Sequence, residues 1–189
     1  MDLDPSHSSA KKKKQQELLD FFQRYGFDHS INDIANGLNI THRTIFNRYK
    51  SVHNIEKEVL EIWKIDLKRR LNAKFEFCNH AIEKLLFVVI ELKRCHHKEE
   101  EFFRRVFQTP PCNLFFLEKI IHQIIFSDFK KGYFNEFTDR QSYIPFYIHN
   151  IIYFITENHS VDVVIYALHP ILSERGYELL CDIALDTLL

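Results

Sequence analysis

The chain has 189 residues, 46% apolar and 27% charged, with 18 Phe, 8 Tyr and 1 Trp but only 4 Gly and 5 Pro. That composition excludes a disordered chain, and so little Gly and Pro argues against a many-stranded fold or a phosphate-cradling nucleotide fold. The net charge of −1 hides an asymmetry: residues 1–74 carry 14 Lys/Arg against 10 Asp/Glu, and residues 75–189 carry 11 against 16, as expected of a basic module joined to an acidic one.

The N-terminal stretch MDLDPSHSSAKKKK lacks the apolar region of a secretory signal. Lys11 to Lys14 make residues 1–14 either a disordered basic tail or an arm resting on phosphates. From Lys11 to Tyr25, Leu18, Leu19, Phe22 and Tyr25 recur as one face of a helix, which Gly26 ends. Ser30 and Asp33 resemble a capping box that opens a short helix with Ile31, Ile34, Ala35 and Leu38 inward. Asn39 tolerates the positive φ of a tight turn, and Ile40 is expected to be buried after it. Thr41 caps a third helix with Ile45, Phe46 and Tyr49 inward, and Ser51 caps a long fourth through Ile55, Val59, Ile62, Trp63, Leu67, Leu71 and Phe75.

Beyond it, Leu/Ile/Phe-rich segments near 79–95, 98–108, 113–131, 143–158 and 161–187 read as helices, with Pro170 kinking or splitting the last. The expectation is an all-α chain. Its domain limits are 1–51 for a three-helix helix-turn-helix module and 52–189 for a helical module.

The two short helices from Ser30 to Tyr49 carry the clearest chemistry. No acid occurs from Ile34 to Ile55, while Arg43, Arg48, Lys50, His42 and His53 do, and such a window asks for an anionic partner. The second helix would offer Thr41, His42, Arg43, Thr44, Asn47 and Arg48 to a major groove about 12 Å wide, and Ser30, Phe46 and Lys50 complete the expected DNA-binding set. Arg43 can donate twice to guanine and Asn47 can pair with adenine.

The stretches LLDFFQRYGF, SINDIANGLNIT and TIFNRYKS, within about 50 residues, resemble the DNA-binding domain of the TetR family of bacterial transcriptional regulators. KKGYFNEF resembles that family's junction before its dimer-forming helices. The resemblance implies a homodimer on palindromic double-stranded DNA. It also implies a C-terminal module for dimerisation and effector binding, and repression relieved by a small ligand. Three positions depart from the family pattern: Phe46 stands where Tyr commonly reaches a phosphate, Val52 where Lys is usual, and Asn39 in place of the turn Gly. Arg48, Lys50, Thr41 and Ser30 could supply phosphate contacts instead. The other reading of Phe46 is that it packs deeper. With Val52, it admits an alternative function: a helical interaction protein that kept the fold and lost sequence-specific DNA binding.

No two of the 11 His and 4 Cys have the i,i+3 or i,i+4 spacing of a helical chelate. Cys without C-x-x-C spacing read as reduced thiols of a cytoplasmic protein. No apolar run approaches the ~20 residues of a membrane span, no enzymatic motif occurs, and neither a cofactor nor a metal is expected. Phe102, Phe103, Phe107, Phe115, Phe116, Phe126, Phe129, Tyr147 and Phe154 could line a pocket for a small apolar or aromatic effector. Helices at 143–154 and 171–188 are expected to pair between protomers through Ile148, Ile152, Tyr177 and Leu180.

Overall fold

The computed structural model describes residues 5–107, 114–135, 143–157 and 168–188, the side chains of 5–12 and 184–188 excepted. Among these residues the regular structure is helical apart from an isolated antiparallel bridge between Phe134 and Leu172. The chain divides into two units, Met1–Lys68 and Arg69–Leu189.

The first unit opens with α1, Pro5–Tyr25. Pro suits a first helical position because its missing N–H would have no partner there. Residues 5–14, Lys11 to Lys14 among them, are therefore helical, where the sequence allowed a disordered tail; residues 1–4 lie outside the described residues. Leu18, Leu19, Phe21 and Phe22 form the buried face, but Tyr25 is 56% exposed. The helix stops there: Gly26 turns at φ 81°, and Phe27 takes the inner position with its ring 5.0 Å from that of Phe22.

Next come α2 (Ile31–Gly37) and α3 (His42–Tyr49). Ser30 caps α2 in a full capping box: Asp33 N–H donates to Ser30 Oγ at 3.2 Å, and Ser30 N–H donates to Asp33 Oδ2 at 2.9 Å. Asn39 takes the turn at φ 52°, and the Ile40 N–H donates to the Ala35 carbonyl at 3.0 Å. A Cβ on Gly37 would overlap the Phe21 ring, so Gly there lets α2 approach α1. Ile34 and Ala35 are buried, while Ile31 and Leu38 are only half-buried. Ile40 is 40% exposed rather than buried. The turn leaves it on the rim of a small groove with Leu18, Leu38, Ile45 and Tyr49.

Helix α4 (Val52–Phe75) begins at Ser51, whose Oγ accepts from the Asn54 N–H at 3.3 Å. Ile55, Val59, Trp63, Leu67 and Leu71 are buried at four-residue intervals. Ile62 and Phe75, expected on the same face, are half-buried.

The second unit contains the end of α4 and five further α-helices among the described residues: α5 (Ala81–Lys98), α6 (Glu100–Phe107), α7 (Phe115–Asp128), α8 (Tyr143–Thr156) and α9 (Glu174–Leu188). Helix α5 packs on each of the other four and buries Ile82, Leu85, Leu86, Val88, Val89 and Leu92. Asp128 fixes its start, accepting from the Ala81 N–H at 2.9 Å while pairing with Lys131, also at 2.9 Å. Pro170 breaks the last segment as expected: a 3-10 turn, His169–Ile171, precedes α9. Residues 161–167 of that segment lie outside the described residues. Ser173 caps α9 through the Gly176 N–H at 3.1 Å and ties it to the 132–135 turn by donating to the Gly132 carbonyl at 2.6 Å.

Arg70, Glu91, Arg94 and Glu99 alternate in sign around the end of α4 and the face of α5, with N–O distances of 2.8–3.1 Å. Cys95 lies between the two guanidiniums, fully buried, and burial first of all pushes its thiol up to about 12. It is an inert core thiol at neutral pH.

Candidate nucleic-acid interface

Thr41 fixes the start of α3: its Oγ1 accepts from the Thr44 N–H at 3.2 Å and lies 2.8 Å from Thr44 Oγ1. Lys50 closes the helix in the left-handed region at φ 67°, its N–H returning to the Phe46 carbonyl at 2.9 Å. Between these caps only Ile45 and Tyr49 are buried. They lie about 40° apart on a 3.6-residue helix, and that narrow inner face leaves the rest of its circumference to solvent. Thr41, His42, Arg43, Thr44, Phe46, Asn47, Arg48 and Lys50 are all exposed, and Ser30 is exposed at the start of α2.

Phe46 was expected among the inward residues of α3, yet it is 44% exposed. It sits about 80° from the middle of the Ile45–Tyr49 face, so the deeper-packing reading fails. Its ring stacks on His42, centroids 6.0 Å apart and planes 11° from parallel, and Lys50 Nζ lies 5.9 Å from its centroid.

The cations differ in their engagement. Arg43 and Asn47 make no side-chain hydrogen bond or ion pair among the described residues. Arg48 is held: its Nη2 lies 3.1 Å from Glu58 Oε1, and its guanidinium sits 4.9 Å from the Tyr49 ring centroid. Burial first, then Glu58, pushes the Tyr49 hydroxyl above its ordinary pKa. This Glu58 contact joins residues ten apart across the α3–α4 turn, and no local spacing rule announces it. Ser30 Oγ is likewise committed, donating to Asp33 Oδ2 at 2.6 Å.

In the second unit, Phe102, Phe103, Phe107 and Tyr147 are buried as core and Phe116, Phe129 and Phe154 are half-buried. Phe115 and Phe126 are 61% and 68% exposed, and of the aromatic set only Phe115 lines a groove of about 590 Å³ between α7 and α8. Glu118, Lys119, His122, Gln123 and Ile144 also line that groove. Among the described residues the buried Tyr147 hydroxyl has no hydrogen-bond partner.

Of the expected dimer residues, Ile148 and Leu180 are wholly buried within their own chain and Ile152 is 7% exposed. These three have almost no area to give a partner, so the expected contacts are corrected. Tyr177 is half-buried, its ring 4.6 Å from His169. The outward aromatics of α8 are Phe146 and Tyr153, 62% and 58% exposed. Seven residues apart, they return to nearly the same side of the helix, a phase that helical periodicity alone did not separate from the buried one.

No protein-family model and no curated protein matches the sequence. Solved structures do match the fold. The fatty acid degradation regulator FadR from Bacillus halodurans is 10% identical with a TM-score of 0.66, covering 92% of this chain and 98% of its own. RolR, solved without ligand, is 13% identical with a TM-score of 0.64, over 85% and 89%. The superantigen PfiT is 20% identical with a TM-score of 0.57, over 91% and 100%. Among the described residues no helix is long and apolar enough to cross a membrane. At these identities the likeness establishes architecture: this chain shares the helical fold of RolR, FadR and PfiT.

Proposed function

We propose that this protein is a non-enzymatic, cytoplasmic transcriptional regulator that binds palindromic DNA as a homodimer and represses until a small ligand binds. The observation that carries the reading is the outer face of α3, an exposed run from Thr41 to Lys50 without a carboxylate in its sequence window. Arg43 and Asn47 are the base-reading residues, uncommitted within the described protein. Lys50 and Thr41 serve the phosphates, while Ser30, its O–H and N–H both given to Asp33, keeps only its capping role. In a dimer, two α3 helices would occupy successive major grooves about 34–36 Å apart. For the dimer contact, Phe146 and Tyr153 on α8 replace the buried Ile148, Ile152 and Leu180. A small apolar or aromatic effector is kept on the strength of a structural neighbour that regulates fatty acid degradation alone, since the groove at Phe115 is otherwise lined by Glu118, Lys119, His122, Gln123 and Ile144.

PfiT, a structure with this fold that is named a superantigen and not a regulator, speaks for the second reading. Phe46 and Val52, which remove two of the family's usual phosphate contacts, favour it as well. Selection from a pool of random duplexes, followed by anisotropy titration at two salt concentrations, separates the two. A regulator enriches a palindrome and binds it with an affinity that falls with salt, by a log–log slope of about −0.9 per phosphate neutralised. An interaction protein enriches nothing. Sedimentation at micromolar concentration tests the dimer, and a monomer there would refute it.

A further inference from the structure

Phe46, like Tyr25 and Ile40, is more exposed than the sequence implies, and it stands at the centre of the face just described. Single exposed apolar side chains are ordinary on protein surfaces. This one, however, has fixed neighbours. Helix α3 is capped at both ends by Thr41 and Lys50 and anchored beneath by Ile45 and Tyr49. The His42 imidazole stacks nearly parallel to the phenyl ring, and the Lys50 ammonium lies 5.9 Å from its centroid. The ring is thus supported on one side yet remains 44% exposed.

A phenyl ring can neither donate to a phosphate nor bond the polar edge of a base. What it can do is remove an apolar group from water. The floor of the major groove offers one such group: the 5-methyl of thymine, which Phe, Ala and the Thr methyl contact in sequence-specific complexes. Phe126, 68% exposed, is stacked on His122 in the same way, so what singles out Phe46 is its place on the outer face of α3. Here the ring lies among Arg43, Asn47 and Lys50, the residues best suited to hold α3 against a base edge and a phosphate.

We propose that Phe46 is a specificity-determining residue whose ring takes the 5-methyl of a thymine in each half-site, next to the bases met by Arg43 and Asn47. The proposal rests on the DNA-binding reading above and gives Phe46 a role that a phosphate-binding hydroxyl at this position could not fill. It makes the protein a reader of thymine as distinct from uracil, which pairs identically and lacks only the methyl.

The test uses the full-length protein and the duplex that it selects. Each thymine is replaced in turn by deoxyuridine in both half-sites. At one symmetric position the wild type should lose about fourfold in affinity per methyl, and so about sixteenfold for the pair, the transfer of one methyl-sized group from water. Phe46→Ala should bind thymine and uracil duplexes equally, with unchanged Trp63 fluorescence as evidence that the first unit is folded. Uracil tolerated at every position, or a thymine preference that survives Phe46→Ala, would overturn the proposal while leaving DNA binding intact. Failure to select any duplex would overturn both.

Discussion

The two units of this chain are specified in different ways. In the first, discrete local signals set each element: the Ser30–Asp33 capping box, the left-handed turn at Asn39, the Thr41 cap and the Ser51 cap. In the second, local caps survive at Glu83 and Ser173, but the long apolar helices are also tied by contacts between residues far apart in the chain. Asp128 caps the helix that starts 47 residues earlier, and Ser173 bonds a carbonyl 41 residues away. The comparison teaches that a small module with a narrow core must state its turns in sequence. A larger one can rely on burial, with a few polar links to set its register.

That contrast can be broken first at the cores. Trp63→Ala in the first unit and Phe103→Ala in the second, both at 0% exposure, should each cost about 3–5 kcal/mol. Urea unfolding followed by circular dichroism would show it, and a loss below about 1 kcal/mol at either site would deny that unit the core described.

A sharper probe is the distant cap. Removing the Asp128 carboxylate leaves the Ala81 N–H and Lys131 without it, so Asp128→Ala should cost about 1–3 kcal/mol. Its pH dependence has a definite sign. Burial pushes the carboxyl up, but Lys131 and the Ala81 N–H outweigh it and hold the pKa below the ordinary 3.8. The stabilisation is therefore complete above that ordinary value and is lost as pH falls through the lower folded one. Asp128→Ala should lose this part of the acid limb in a pH series of melting temperatures; an unchanged limb would contradict the assignment.

The local signals should weigh less singly. Ser30→Ala removes the α2 cap and should cost about 1 kcal/mol, measured by the same denaturation. The smallest effect is expected at Glu58. Glu58→Gln frees Arg48 for a phosphate and should steepen the log–log salt slope of DNA binding by about 0.9. A slope that stays the same would mean that Arg48 does not reach the backbone with or without its partner.

Legibility followed the same division. The helix-turn-helix was readable because caps and turns depend on residues three or four apart, as Ser30, Asn39 and Thr41 show. What differs in that module is phase: helical spacing points Tyr25 and Phe46 inward, and the turn at Asn39 points Ile40 inward, yet all three are exposed. In each case a helix end, a turn or a two-residue contact face limits how much can be covered. The second unit yielded its helices, and even the Pro170 break, but not its surfaces. Helix α8 is apolar nearly all round, with Ile144, Tyr147, Ile148, Ile151, Ile152 and Ile155 inward and Phe146 and Tyr153 outward. Periodicity cannot say which of those faces meets a partner. The Arg48–Glu58 pair was invisible for another reason, since it depends on the angle between two helices.

The measurement nearest the central claim is the discrimination between guanine and other bases at the position met by Arg43, compared for wild type and Arg43→Ala on the selected duplex. The account predicts that the variant loses about 1–3 kcal/mol of discrimination at that position alone, roughly a 5- to 150-fold change in the affinity ratio. An equal loss on every sequence would make Arg43 a phosphate contact and α3 no reader of bases.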